Sequence, residues 1–297
     1  MAGRHSTGGL ASFKIGDTFV STVLSCNVTP GASSPTNFVS SNSKCGNLRA
    51  GGTKSWSGDV TYSGVSLPLF PGKRYQNCHI WSGPDRDGGT GVIYNGNIVV
   101  SQVSTTIDIK AGAPIQWQVT YSGDGEMTES VGRQVDTTTP VVISPIGATL
   151  TVTKNADTVT TTEWELTSIA ISISSALSGG SATANSNGWN TYCVGAIDFT
   201  FDMTFENDSC DDLNIEQGDE LSITITLTNG QAIKIAWIRI NEEGQVSIDN
   251  SSAEPLQFSL SGAMQAYNQT THTYGEITIA GVTYWPDDVA TDPDIAN

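Results

Sequence analysis

The chain has 297 residues, of which only 14% are charged, with a formal net charge of −17 and a pI near 4.3. That length suits two domains, and the low charge fraction, with 31 glycines and recurrent Ser, Thr, Val and Ile, suits half-buried strands and not exposed helices. The acidic balance excludes a protein that works by neutralising phosphate with Lys and Arg, and no run of about 18 apolar residues is present to span a membrane as a helix.

The charge is lopsided: residues 1–130 carry 9 basic and 8 acidic groups, residues 131–297 carry 4 and 22. An acidic half fits solubility, a basic neighbour, or a surface along which nucleic acid passes without being held. The five cysteines, Cys26, Cys45, Cys78, Cys193 and Cys210, are odd in number and lack close metal-ligand spacing, so free thiols are expected in place of a zinc site. Residues 1–10 are Gly-rich and polar without an apolar core, so no targeting segment is expected there.

In chain order, alternation with period two predicts strands at Ser12–Ile15, Val60–Tyr62, Ile93–Val103, Thr105–Ile109 and Ile115–Tyr121. It returns at Ala148–Val152, Ile169–Ile173, Ala196–Phe205, Leu221–Leu227, Ala232–Ile240, Gln245–Ile248 and Leu256–Leu260. Gly275–Ile279 and Val282–Tyr284 flank Ala280–Gly281 at two-residue hairpin spacing. Short helices are allowed for only near Gln76–Gly83 and Asp211–Gly218. Thr29–Thr53 and Ala176–Asn190 are long polar stretches, expected to be loops, either plain surface loops or arms that order against a neighbouring subunit.

An internal repeat runs through this order. Pro114-Ile115-Gln116-Trp117-Gln118-Val119 is echoed by Pro255-Leu256-Gln257-Phe258-Ser259-Leu260, and the segments close in Ser122-Gly123 and Ser261-Gly262, the second two residues sooner. Proline starts each strand because it cannot donate within a ladder. Upstream, Ser55–Tyr62, the Pro71-Gly72-Lys73 turn and Gly91–Val103 correspond to Ala196–Phe205, Gln217-Gly218-Asp219 and Ala232–Ile240. The expected organisation is an all-β pair of domains at residues 1–130 and 146–270, a Pro- and Thr-rich linker at 131–145 within Thr128–Pro145, and a C-terminal hairpin and acidic tail at 271–297.

Residue types that carry chemistry are sparse, and no catalytic, cofactor-binding or metal-ligating set is assigned. The histidines are His5, His79 and His272; His79 follows Cys78, and adjacent residues of a strand point to opposite faces, so the two do not act together. Asp85-Arg86-Asp87-Gly88-Gly89 lacks the further ligands of a calcium loop and is read as a turn. Asp198 and Asp202 share a strand face as a solvated pair in preference to a hydrolytic one. Asp287, Asp288, Asp292 and Asp294 form a solvated tail. Trp56 and Trp117 fall in alternating strands, where core or interface roles are the commoner ones.

Over Ser55–Met127 the chain resembles the tail tube proteins of long-tailed bacteriophages. The residues that carry this are Trp56-Ser57-Gly58-Asp59, Phe70-Pro71-Gly72, Gly88-Gly89-Thr90-Gly91, Asp108, Ala111-Gly112-Ala113-Pro114-Ile115-Gln116-Trp117 and Tyr121-Ser122-Gly123-Asp124-Gly125. The second half resembles the family less, having no counterpart of Gly88–Gly91 or Gly125. The resemblance implies tandem β-sandwich or β-barrel domains, each with room for one short helix. It implies a non-enzymatic virion protein assembled in the host cytoplasm. Such a chain forms homo-oligomeric stacked rings, trimeric and pseudo-sixfold, beside neighbouring tail proteins. DNA passes through the lumen without specific binding, and no membrane or cofactor is involved. Thr29–Thr53 and Ala176–Asn190 take the place of the family's stacking loops. The alternatives are another ring-forming virion component, such as a head–tail joining or baseplate protein, and a carbohydrate-binding or decoration module.

Overall fold

The computed structural model describes residues 11–20, 22–32, 36–38, 48–50, 53–81, 83, 90–136, 142–154, 157–158, 165–179, 188–207, 215–241, 245–247, 256–264 and 275–285. The protein is all-β, and the described residues hold no helix. The first ten strands are β1 (Ser12–Ile15), β2 (Thr18–Phe19), β3 (Val23–Ala32), β4 (Thr36–Phe38), β5 (Leu48–Ala50), β6 (Lys54–Ser63), β7 (Arg74–Trp81), β8 (Gly91–Asp108), β9 (Gln116–Gly123) and β10 (Thr128–Gly132). The second ten are β11 (Thr149–Lys154), β12 (Asp157–Thr158), β13 (Glu165–Gly179), β14 (Tyr192–Asn207), β15 (Glu220–Thr226), β16 (Ala232–Ile240), β17 (Gln245–Ser247), β18 (Leu256–Met264), β19 (Glu276–Ile279) and β20 (Val282–Trp285).

All strand pairings are antiparallel, and they repeat in the same order in the two halves. In the first, β3 pairs β6, β6 pairs β9, β9 pairs β8, β8 pairs β7, and β7 pairs β1. In the second, β13 pairs β14, β14 pairs β18, β18 pairs β16, β16 pairs β15, and β15 pairs β11. The side pairings agree as well: β10 lies on β8 and β19 on β16. Even the irregularities coincide. Val23 lies opposite Tyr62 and a bulge follows; Leu166 lies opposite Phe205 and a bulge follows.

In each half one central strand, β8 or β16, changes partners along its length. The β8 strand pairs β10 and β7 through its N-terminal part and β9 from Ile98 onward, through a bulge between Val100 and Gln102. The β16 strand pairs β15 and β19, and its last three residues cross to β18, where β17 continues the ladder. A tight turn leads into β7 and into β15. Gly72 and Gly218 both take positive φ, 79° and 94°, which only glycine adopts without strain. Gly72 N–H donates to the Val100 carbonyl and Gly218 N–H to that of Ile240, both at 2.9 Å.

The inward halves of the strands build the core. Trp56, Val60 and Tyr62 alternate on β6, with Trp117, Val119 and Tyr121 opposite on β9. Phe201, Met203 and Phe205 on β14 face Phe258 and Leu260 on β18. Each such side chain contributes about 1.5–3 kcal/mol through the apolar surface it removes from water. One cross-strand pair is exchanged between the halves. Gly58 on β6 lies opposite Tyr121 on β9, whereas Phe201 on β14 lies opposite Gly262 on β18. At Gly58 the Tyr121 ring takes the space a side chain would need, and at Gly262 the Ile238 side chain takes it. Tyr121 also donates from its hydroxyl to the Asn27 carbonyl at 2.8 Å.

Several expectations need correction. Thr29–Thr53 is not a structureless loop: β3 continues to Ala32, and β4 and β5 pair as a small separate sheet. Ala176–Asn190 begins as strand, since β13 reaches Gly179. Gln76–Gly83 is strand and not helix through Trp81, because its ladder to β1 and β8 outweighs local preference. The stretch from Thr128 to Gly132, the start of the Pro- and Thr-rich segment, pairs β8 as β10. The Ser-Gly endings of the repeat are not equivalent, since Gly262 takes the register position of Tyr121 and not of Gly123. Ile93–Val103 and Thr105–Ile109 join in one strand ending at Asp108. Residues 84–89, 211–214 and 286–297, and with them the candidate calcium turn, part of one candidate helix and the acidic tail, lie outside the described residues, as do His5 and His272.

Gly58 is a sharp test of this packing, because an added methyl would overlap the Asn27 carbonyl and the Tyr121 ring. Gly58→Ala is expected to destabilise the fold by about 1–3 kcal/mol, read as a lowered midpoint in denaturant. Gly16→Ala is not a fair control, since its φ is positive; Ser57→Ala, exposed on the same strand, should shift the midpoint little.

Candidate functional site: an acidic sheet face between two open edges

The two halves are not beads on a string. The C-terminal part of β8 pairs directly with β13: Gln102 lies opposite Ser174, Ser104 opposite Ser172, Thr106 opposite Ala170 and Asp108 opposite Ser168. One antiparallel strip therefore runs β3, β6, β9, β8, β13, β14, β18 and β17 across both halves. A second bond between the halves is made by the segment leading into β14. Lys54 N–H donates to the Gly188 carbonyl at 2.8 Å, Asn190 N–H to Lys54 at 2.9 Å, and Gly125 N–H to Asn190 at 2.9 Å. Tyr192 N–H donates to Asp124 at 3.0 Å, and Arg74 pairs with Asp124 at 3.5 Å and with the Tyr192 carbonyl. On the far side the Phe70 ring stacks on Tyr284 at 5.6 Å, and the Tyr284 hydroxyl accepts from Leu67 N–H.

Side chains alternate along β3, β6, β9, β8, β13, β14 and β18, so one face of these strands is core and the other is mostly polar. A single row across it reads Ser25, Thr61, Gln118, Ser104, Ser172, Thr200 and Ala263. The next row reads Asn27, Asp59, Thr120, Gln102, Ser174 and Asp198. The charges on this face are Asp59, Asp108, Glu165, Asp198, Asp202 and Glu206, and no strand position of the face among the described residues of β3, β6, β9, β8, β13, β14 and β18 is Lys or Arg. Two of the carboxylates are held by neutral partners: Asn27 donates to Asp59 at 2.5 Å and Ser261 to Asp202 at 2.6 Å. At the lower rim Lys110 meets Glu206 at 2.7 Å. A shallow open depression at the centre is lined by Ser104, Thr106, Gln116, Gln118, Ser172 and Asp202.

Both ends of the strip are open among the described residues. The β3 strand pairs only β6, and β17 pairs only β18. An unpaired strand edge is a row of amide and carbonyl groups that can join another strand.

The residues weighed from sequence fall into place around this face. Asp198 and Asp202 share it with Thr200 between them, all exposed. Cys78 and His79 lie apart: Cys78 is buried in the core, while His79 Nδ1 is 2.5 Å from Asn95 Oδ1 and its carbonyl accepts from Gln134. Trp56 and Trp117 are buried, their ring N–H groups given to the carbonyls of Gly125 and Gly64. Among the described residues no group of three or more His, Cys, Asp or Glu is arranged to hold a metal ion. The sequence pattern marks Asp59 and Asp108 only as residues of the resemblance and does not single out Glu206 or the glutamine and hydroxyl rows as a surface. Their signal was the outward half of each alternating strand, which is free of basic residues. The sequence matches no known family model and no curated protein.

The buried thiols and phenols under the face set an alkaline limit. Burial pushes Cys26 and Cys78 from 9.0 up to about 12, with Asp59 adding to the effect at Cys26. Burial likewise raises Tyr62 and Tyr121 well above 10.0, with smaller contributions from neighbouring phenols at Tyr62 and from Cys26, Asp59 and Cys78 at Tyr121. Unfolding releases protons from these groups at high pH, so their stabilisation is complete below about pH 9 and is lost as pH rises toward about 12. A melting temperature that declines steadily above pH 9, more gently after Cys78→Ala, is expected; a flat profile from pH 8 to 11 would contradict the burial.

Proposed function

We propose that this chain is a duplicated ring-forming virion subunit of the tail tube kind, assembling as trimers whose rings stack into a conduit for DNA. The carrying observation is the strip that crosses both halves with an acidic face and two open edges. The matching order of pairing, turns and bulges supports descent of the two halves from one domain. Edge-to-edge joining of further copies extends the same sheet, and closed cyclic symmetry leaves no edge unpaired.

In such a ring the polar face lines the lumen. Its carboxylates come from both halves, so the surplus of acid in residues 131–297 does not leave alternate sectors bare. Phosphate meets negative charge and short hydroxyl and amide groups, with no Lys or Arg at the described strand positions of the face to displace the counterions of DNA, so DNA is repelled from the wall and slides. The Ser, Thr and Gln side chains give water a surface to hydrate, which keeps friction low. A sugar platform on Trp56 or Trp117 is opposed by their burial. The small β4–β5 sheet sits in the segment that takes the place of the family's stacking loop.

Electron microscopy of the purified full chain tests this reading. Rings with threefold symmetry that grow into tubes with concentration are expected. Single rings that never stack point to a head–tail joining or baseplate role, and a strict monomer at every concentration removes the proposal.

The charge of the face is testable in the same assemblies. Asp59→Lys with Asp202→Lys should leave tube formation intact yet make the protein retain duplex DNA at low salt, by at least about tenfold over the parent chain, and lose it as salt rises. Equal retention by parent and variant would place the face elsewhere than at the lumen.

A further inference from the structure

The chain contains its own template for the contact between copies. At the β8–β13 junction the first half ends and the second begins, and it is a ladder between one half's last strip strand and the other's first. The matching bulges place β3 in the role of β13. Val23 opposite Tyr62 and Leu166 opposite Phe205 each precede the bulge, so Ser25 stands where Ser168 does, Asn27 where Ala170 does, Val28 where Ile171 does and Thr29 where Ser172 does. The β17 strand stands in the role of the end of β8. Ser104 lies opposite Gln118 on β9 and Gln245 opposite Ser259 on β18; Val119 and Leu260, one residue further on, hold the same position in their sheets. Gln245, Val246 and Ser247 therefore match Ser104, Thr105 and Thr106.

The junction pairs Ser104 with Ser172, Thr105 with Ile171 and Thr106 with Ala170. We propose that β3 of one copy completes a ladder with β17 of a second copy in that register: Thr29 opposite Gln245, Val28 opposite Val246, and Asn27 opposite Ser247. This rests on the ring-forming reading and specifies its seam. The two strands run with the polarity of their templates, so the ladder is antiparallel. Each copy offers different strands at its two ends, so the contact is head-to-tail and repeats until it closes. Two features of β3 suit it to this use. Leu24, the bulged residue, is 47% exposed at the free edge; its counterpart Thr167 gives its carbonyl to Ile109 N–H at 2.8 Å across the internal junction. Pro30 follows Thr29 and has no N–H to donate, which suits an edge strand and ends the ladder there.

Paired cysteines read the register directly. The full chain carrying Thr29→Cys with Gln245→Cys should form disulfide-linked multimers under mild oxidation, with a 29–245 linked peptide in mass spectra. Thr29→Cys with Ser247→Cys, a diagonal pair, should link at least about tenfold less, since directly opposed residues lie within disulfide reach and diagonal ones do not. Asn27→Cys with Ser247→Cys is a second in-register pair, and each single variant controls for the native thiols. Mixing the Thr29→Cys chain with the Gln245→Cys chain should give covalent dimers of one of each.

Rings in the microscope without either in-register link overturn this seam and leave the ring reading standing. In-register links without rings uphold the seam and remove the tube. Equal linking of the diagonal pair overturns the register. Neither links nor rings, with the melting temperature unchanged, overturns both.

Discussion

Everything in this fold depends on where one row of backbone hydrogen bonds goes. Each strand residue carries a donor and an acceptor that must be met. At the end of the first half, the C-terminal part of β8 has met β9 on one side and still has an edge to fill. The chain fills it with β13, so the second half's sheet continues the first and does not pack against it at an angle. A single ladder of seven residue pairs, Ser168–Asp108 to Ser174–Gln102, thus joins the strands of the two halves into one strip. The same logic leaves β3 and β17 as its borders.

That junction also decides what the polar side of the strip becomes. In a lone sandwich, an outward face of Ser, Thr and Gln is ordinary solvated surface. Carried without a break across seven strands, the same residues form a wide surface of one character, acidic and without Lys or Arg at its strand positions. The segment from Gly188 to Tyr192 reinforces the alignment by bonding to Lys54, Asp124 and Gly125 of the first half. Phe70 and Tyr284 do so from the opposite side. Among the described residues the halves are joined by this ladder, by that segment, by Phe70 with Tyr284 and by Lys110 with Glu206.

Similarity between the halves lives in geometry more than in letters. The exchange of Gly58 and Tyr121 for Phe201 and Gly262 keeps an aromatic residue opposite a glycine while reversing which strand supplies each. A position-by-position comparison of letters scores both sites as mismatches. The turn at Gly72 and the turn at Gly218 keep the same hydrogen bonds although only the glycine is shared. This is the kind of likeness that close packing permits, since volume and register are constrained while identity is not.

The sequence alone determined the class and most of the strand positions. Period-two alternation marked the faces of β6, β9, β14, β15, β16 and β18, and with them the core at Trp56, Trp117, Phe201 and Phe258, because alternation is a local property that each strand states for itself. It also set aside Cys78 with His79 as a pair, since neighbours in a strand diverge. What it left undecided was which strand lies beside which. The extent of β3 and the small β4–β5 sheet are fixed by their ladders, and the Gly, Ser, Asn and Pro content of Thr29–Thr53 argues against them. The acidic face followed the same rule. Asp59, Asp108 and Asp202 are scattered in the chain and come onto one surface only when β8 meets β13, a contact between residues far apart in sequence that no local pattern encodes.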